Sequence, residues 1–314
     1  MGAVFLGTPA AAVPSLAALG GIEDVDVVIT QPDRPAGRGG RVVASPVKVA
    51  ALQWGIDVRQ PETREELTDE VRRIHARFGL VVAYGRILTP TILASTQLGF
   101  LNVHFSLLPR WRGAAPVERA IAAGDERTGV TLMKLDEGID TGPIIGEIAT
   151  PIGPAETGGT LTARLSYLGA SLLDTALPDY LQGRRHPVPQ IDTEPSHARM
   201  LTKAEARLNP TWGHARAERS VRAFMPRPVA WLDTPEGSVR VLDAAPSSLT
   251  TDRGTIISVL GTVCAGFEDG SLELRTVQPE GKSPMAASAW MNGRRNAATS
   301  FRSDPDPSLD DDRR

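Results

Sequence analysis

Gly99-Phe-Leu-Asn-Val-His-Phe-Ser-Leu-Leu-Pro-Arg-Trp-Arg-Gly-Ala-Ala-Pro116 is the stretch on which the reading of this chain turns. Phe100 to Val103 is a short apolar strand, and Pro109 and Gly113 close the loop that follows it. Asn102 and His104 are two residues apart, and on an extended strand residues i and i+2 point to one face. An amide and an imidazole therefore project side by side where strand gives way to loop. In open α/β sheets that position lies on the ligand-binding edge. The pair suits acyl transfer, because both groups donate hydrogen bonds to an oxyanion and the imidazole also moves a proton. An isolated Asn-x-His would read as a turn-former beside an ordinary strand-end histidine, so the rest of the chain has to decide.

Working outward, Ala3 to Leu6 is a continuous apolar strand, Gly7-Thr-Pro9 turns it, and Ala10 to Leu19 reads as a helix. Thr8 suits the cap of that helix and Pro9 its first turn. Val25 to Thr30 is a second strand, and the resulting βαβ unit implies a parallel sheet. The turn Gly7-Thr-Pro-Ala-Ala-Ala12 lacks the glycines that a dinucleotide pyrophosphate needs, which argues against an NAD site. Helices are expected over 47–54, 62–77, 90–95, 115–123 and 161–181, with Thr63-x-x-Glu66 as a capping box for the second. Strands are expected at 80–83, 130–135 and 144–152. The fold class that follows is α/β, a Rossmann-like, mostly parallel sheet over residues 1–182. Residues 183–203, with Pro187, Pro189 and Pro195, read as a stiff linker. An arginine-rich helix over 212–224 and five short strands at 229–233, 238–243, 255–260, 262–267 and 271–278 then suit a small OB-like β-barrel over 204–302. Residues 303–314 read as an acidic, disordered tail.

At 314 residues, of which 41% are apolar, two domains with real cores are the expectation. The net charge of −3 hides a gradient: residues 203–302 carry 13 Lys/Arg against 10 Asp/Glu, and the tail carries 2 against 5. The C-terminal third is thus mildly basic, which by itself does not establish a nucleic-acid partner. The single cysteine, Cys264, forms no internal disulfide, and no Cys/His cluster has metal-site spacing. A cytoplasmic protein fits. The apolar start lacks a positive n-region and is interrupted by Pro9 and Pro14, so strand plus helix is the reading rather than a signal peptide. No apolar run is long enough to span a membrane, and without a heptad seam a monomer is expected.

Asn102-x-His104 followed by Ser106-Leu-Leu-Pro109 resembles the signature of the folate-dependent formyltransferases, and the longer run Ser106 to Pro116 resembles their methionyl-tRNA branch. Leu135-Asp-Glu-Gly-Ile-Asp140-Thr-Gly-Pro143 presents a carboxylate on a Gly/Pro loop, as a catalytic group or as a turn in which Asp140 bonds nearby amides. It resembles the family's Asp-Thr-Gly loop, with Asp140 on the catalytic aspartate; Asp136 and Glu137 read as solvent-facing or turn-capping. Gln31-Pro-Asp-Arg-Pro-Ala-Gly-Arg-Gly-Gly-Arg41 is dense in Gly, Pro and Arg, and either a flexible surface loop or a functional one. Arginines on such a loop can fold around phosphates. The run resembles the loop inserted in methionyl-tRNA formyltransferases, which implies that Arg34, Arg38 and Arg41 grip the acceptor end of the initiator tRNA. Ala83-Tyr84-Gly85 resembles the pattern beside the folate site. Phe224-x-Pro-x-Pro-x-x-Trp231 and Gly281-Lys282-x-x-Met285 resemble the family's C-terminal domain and add Lys282 to the tRNA-binding set. Arg227 stands where the family more often carries an aromatic residue.

The resemblance implies 10-formyltetrahydrofolate as formyl donor and the α-amino group of methionyl-initiator-tRNA as acceptor, in translation initiation. The amine attacks directly, through a tetrahedral intermediate, with no metal. Asn102 and protonated His104 donate to the oxyanion, and Asp140 holds the imidazolium. Ser106, Leu107, Leu108 and Pro109 form the folate loop, with Tyr84 and Leu88 as pocket walls. Two rival readings remain open. One keeps the centre and changes the acceptor to glycinamide ribonucleotide or an amino sugar, or makes it a formyl-folate hydrolase. The other is a non-catalytic RNA-binding scaffold, whose expected mark, a broken Asn102/His104/Asp140 set, is absent here.

Overall fold

The computed structural model describes residues 2–36, 41–191 and 194–302. The chain forms two compact units: Met1–Val117, Glu126–Ile152 and Thr160–Arg199 make the first, and Glu118–Asp125, Gly153–Gly159 and Met200 onward make the second. The first is built on a seven-stranded sheet whose strands are numbered here in chain order: β1 (Ala3–Gly7), β2 (Val25–Ile29), β3 (Asp57–Arg59), β4 (Phe78–Val82), β5 (Phe100–His104), β6 (Arg127–Lys134) and β7 (Ile144–Pro151). Their order across the sheet is β7-β6-β5-β4-β1-β2-β3. From β3 to β5 all pairings are parallel; β6 and β7 run antiparallel.

The residue patterns explain this arrangement. Every residue of β1 and β4 is buried, as expected of parallel strands covered on both faces. β3, three residues with both ends exposed, is an edge strand too short to leave a periodic signal. Pro151 closes β7 at the other edge, where a missing N–H costs no ladder bond. Helix Arg64–Ile74 opens as expected: Thr63 Oγ1 accepts from Glu66 N at 3.1 Å. The return bond differs, because Glu66 Oε2 accepts from Glu62 N rather than from the cap residue. Thr8 does not cap the first helix. Residues Ala10–Ala12 form a 3-10 turn before the α-helix Val13–Ile22, and Thr8 Oγ1 instead donates to Tyr84 O and accepts from Gln31 N, both at 3.3 Å. The hydroxyl thus ties β1 to the loops after β2 and β4.

Helix Gly158–Leu181 buries Leu161, Leu165, Leu172, Leu173, Ala176 and Leu177, one apolar stripe at helical spacing. A Cβ at Gly169 would lie 2.8 Å from Val103 Cγ1, so glycine lets this helix approach β5 closely. On β4, Gly79 pairs with Phe100 of β5, and a Cβ there would run into the Phe100 ring. Phe100 is fully buried in a core cluster with Val4, Leu6, Leu67, Val71, Tyr84 and Ile92.

Residues 34–43 bear a short antiparallel pair, Arg34–Ala36 with Arg41–Val43. Its base is fixed by Lys48 Nζ, which donates to Asp33 Oδ2 and Gln60 Oε1 at 2.6 Å each, and by Gln60 Nε2, which donates to Asp33 Oδ1 at 2.7 Å. The Lys48 and Gln60 bonds hold the Asp33 carboxyl below its ordinary range. The segment 183–203, expected to be a stiff linker, belongs to the first unit as far as Arg199. Val188 and Ile144 exchange two 2.8 Å backbone bonds, and His197–Ala198 pairs in parallel with Arg112–Gly113.

The second unit carries an antiparallel sheet in the order Trp231–Thr234, Gly237–Ser247, Ser271–Pro279, Thr262–Gly266, Thr255–Val259, Thr299–Ser300, with Met285–Ala286 also pairing with Ser271–Pro279. Helix His214–Ala223 packs on Gly237–Ser247. Cys264 is fully buried within this sheet. Among the described residues no helix is long and apolar enough to cross a membrane. Because Phe100 fills the space that Gly79 leaves, Phe100→Ala is expected to destabilise the first unit by about 3–5 kcal/mol, measured as a drop in the denaturant midpoint at constant slope.

Candidate active site

β5 lies at the point where the sheet changes from parallel to antiparallel pairing. It is hydrogen-bonded to β4 on one side and β6 on the other, with Asn102 opposite Met133 and His104 opposite Thr131. Buried on both edges, it is a rigid base for its two polar side chains, which share a face as the spacing predicts. His104 is buried and Asn102 half-buried. Asp140 arrives from the loop between β6 and β7. Its Oδ2 lies 3.6 Å from His104 Nδ1, and Asn102 Nδ2 reaches its Oδ1 at 3.5 Å. The carboxylate is anchored by the backbone, because Gly113 N donates to Oδ2 at 2.8 Å. Asp140 therefore faces the imidazole and bonds a neighbouring amide at once.

The histidine tautomer follows from its partners. Nε2 lies 2.8 Å from the carbonyl oxygen of Trp111, which can only accept, so Nε2 carries a hydrogen. Nδ1, on the Asn102 and Asp140 side, is then the nitrogen that gains or gives a proton. Two left-handed residues build this geometry: Trp111 at φ 62 and Asp140 at φ 52. Such a conformation costs roughly 1–3 kcal/mol per non-glycine residue and needs a surrounding structure that enforces it. Trp111 N donates to Ser196 Oγ at 2.9 Å, and Arg112 N to Ser196 O at 2.8 Å. On the Asp140 loop, Asp136 Oδ1 accepts from Gly138 N and Thr141 Oγ1, the turn-capping role its position suggested. Gly142 leaves no room for a Cβ beside the Lys134 carbonyl.

The structure brings Asn102, His104 and Asp140 together and treats the expected folate residues unevenly. Leu107 and Pro109 are half-exposed, while Ser106 and Leu108 are buried. The Ser106 hydroxyl donates to Arg110 O at 2.6 Å and so closes its own loop. Thr131 Oγ1 donates to Ser106 O at 2.7 Å and accepts from Leu108 N at 3.2 Å, fixing that loop on β6. Tyr84 and Leu88, expected as pocket walls, are only 2% and 8% exposed and belong to the apolar core. Burial pushes the Tyr84 phenol up to about 12. Arg34 is exposed at the start of the short hairpin, and Lys282 is exposed on the second unit. Arg41 lies in the returning strand, and Arg38 falls outside the described residues. No cluster of His, Cys, Asp or Glu able to hold a metal ion occurs among the described residues. Sequence reasoning missed the Trp111 carbonyl, the Gly113 amide, and the side chain of Gln190, which bonds the Asp140 carbonyl and accepts from Arg112. Trp111 and Gly113 act through backbone atoms, which no residue type advertises.

Two family descriptions match the chain: "Formyl transferase" over residues 4–177 and "Formyl transferase, C-terminal domain" over residues 200–295. A methionyl-tRNA formyltransferase of Halorhodospira halophila is 46% identical over 300 residues, 93% of this chain and 96% of the relative. The chain belongs to the methionyl-tRNA formyltransferase family. A second member, from Pseudoalteromonas translucida, is 40% identical over 304 residues, 94% of this chain and 95% of the relative. Among solved structures, an N-formyltransferase of Helicobacter canadensis in complex with folinic acid and dTDP-3-aminofucose superposes with a TM-score of 0.66 over 88% of this chain and 98% of that one. At 17% identity this similarity shows the fold. The motif residues read in the sequence thus sit in a methionyl-tRNA formyltransferase over nearly its whole length.

Because the Ser106 hydroxyl closes its own loop, Ser106→Ala is expected to cost about 1 kcal/mol of stability by chemical denaturation. Its KM for a formyl-folate donor should stay within about twofold of the parent; a large rise in that KM would return the hydroxyl to the ligand.

Proposed function

We propose that this chain transfers the formyl group of 10-formyltetrahydrofolate to the α-amino group of methionyl-initiator-tRNA. The observation that carries the proposal is the convergence of Asn102, His104 and Asp140 at the end of β5. The near full-length relationship to two methionyl-tRNA formyltransferases supports the choice of acceptor. Half-exposed Leu107 and Pro109, in the loop that follows the two catalytic side chains, offer apolar surface to a flat ring, so the loop fits a folate donor.

The donor supplies the formyl carbon. The neutral amine of the methionyl group attacks it, a C–N bond forms, and the carbonyl oxygen becomes an oxyanion. Asn102 Nδ2 donates to that oxygen. His104, with Nε2 held by Trp111, presents Nδ1–H on the same side, and Asp140 opposite balances the imidazolium charge. The amine gives up its proton as the folate nitrogen receives one and leaves, with Asp140 and His104 placed to pass it. No covalent enzyme intermediate is needed. Arg34 and Arg38 on the 31–41 segment and Lys282 on the second unit supply positive charge for tRNA phosphates. A substrate of translation as acceptor supports a cytoplasmic setting for the reaction.

Incubating the purified chain with 10-formyltetrahydrofolate and charged initiator tRNA, with a free amino sugar as control acceptor, tests the assignment: formylation of the tRNA alone is expected. Removing one oxyanion donor should lower kcat by roughly 10²–10³-fold. Asn102→Ala and His104→Ala are therefore expected to lose most formyl transfer while tRNA binding, followed by filter retention, stays nearly intact. A fully active His104→Ala protein rules out this mechanism. Arg34→Ala is expected to raise the KM for tRNA and reduce the salt slope of binding by about one, with the donor KM unchanged.

A further inference from the structure

Gln190 lies in the segment that leads out of the first unit, far in sequence from the catalytic residues. Its carboxamide is nevertheless fully engaged beside Asp140. Nε2 donates to the carbonyl of Asp140 at 2.7 Å and to that of Gly142 at 2.8 Å. Oε1 accepts from Arg112 Nε at 3.1 Å and from Arg112 Nη2 at 2.7 Å. A primary amide has two N–H donors and two acceptor lone pairs, and all four are used here. Its orientation is dictated by the partners: guanidinium can only donate, and the two carbonyls can only accept.

The residues joined in this way are those that set the geometry of the centre. Arg112, itself buried, stands between Trp111, whose carbonyl holds His104 Nε2, and Gly113, whose N–H holds Asp140 Oδ2. At the other end of the amide, the Asp140 carbonyl belongs to a residue held at φ 52. Gln190 is itself steadied by the two backbone bonds that Val188 exchanges with Ile144 of β7. One side chain thus connects the loop that orients the imidazole to the loop that carries the carboxylate.

We infer that Gln190 is a positioning residue for formyl transfer, locking the Asp140 loop to Arg112 so that carboxylate and imidazole keep their separation. The inference rests on the catalytic reading above. The step it serves depends on alignment, where a displacement of about 1 Å can cost on the order of 100-fold in rate. Three substitutions separate positioning from mere support. Gln190→Glu keeps the shape and the acceptor toward Arg112 but has no donor for the two carbonyls. Gln190→Met keeps the volume and removes both polar ends. Gln190→Ala removes the contact entirely.

The test is steady-state formylation of charged initiator tRNA by the full chain, with 10-formyltetrahydrofolate as donor, at a temperature below the unfolding midpoint of each variant. The expected result is a kcat at least about tenfold lower in Gln190→Glu and Gln190→Met, with both KM values within about twofold of the parent. If Gln190→Ala does not fold, the near-isosteric Met variant gives the reading. Folded variants that keep kcat within about twofold, or that lose kcat/KM only through KM, overturn the inference. The parent protein distinguishes the two levels of failure. An inactive parent removes the proposed activity, whereas an active parent with active variants removes only the role of Gln190.

Discussion

The hydrogen bond from His104 Nε2 to the Trp111 carbonyl is the constraint on which the site depends. A carbonyl cannot donate, so this contact fixes which nitrogen carries the resident hydrogen and turns the other toward Asn102 and Asp140. The imidazole is buried, so solvent does not offer it an alternative partner. The contact exists only because Trp111 adopts a left-handed backbone, and that conformation is held by Ser196, which accepts from Trp111 N and Arg112 N. The chemistry at the end of β5 therefore reaches back to a segment some ninety residues further along the chain.

The fold supplies the complementary half of the arrangement. β5 has partners on both sides, and Gly169 brings the long helix Gly158–Leu181 close to Val103, the residue between Asn102 and His104. Asn102 and His104 thus stand on a stiff support. Asp140 stands on a loop and relies on polar anchors: Gly113 for its carboxylate, Gln190 for its carbonyl, and the Asp136 turn before it. Functional groups on loops held by a rigid scaffold are a common solution, and here the scaffold includes Val188, Gln190 and Ser196 to Ala198.

Much of this was legible in the sequence, for physical reasons that differ by residue. The βαβ start, the buried strands and the long helix announced themselves through apolar runs and periodicity. Asn102 and His104 announced themselves through their spacing on a strand. Asp140 needed the resemblance, since its loop has no period. The short edge strand Asp57–Arg59 and the pairing of Arg112–Gly113 with His197–Ala198 left too few residues for a pattern. Thr8 had the composition of a cap, but tertiary partners at Tyr84 and Gln31 took its hydroxyl. Tyr84 and Leu88 lie next to the expected folate pattern, yet burial placed both side chains in the core. Gln190 gave no signal, because its partners lie 48 to 78 residues away and two of them are backbone carbonyls.

If Asn102, His104 and Asp140 work as one centre, their contributions cannot add. The most direct measurement is the single-turnover formylation rate of His104→Ala/Asp140→Ala beside the two single variants. Once one member of a cooperating pair is gone, the other has little left to act on. The double variant is expected to be no slower than the worse single variant, within about threefold. Losses that multiply would mean that the imidazole and the carboxylate act independently, and that their meeting at the end of β5 is not the catalytic centre.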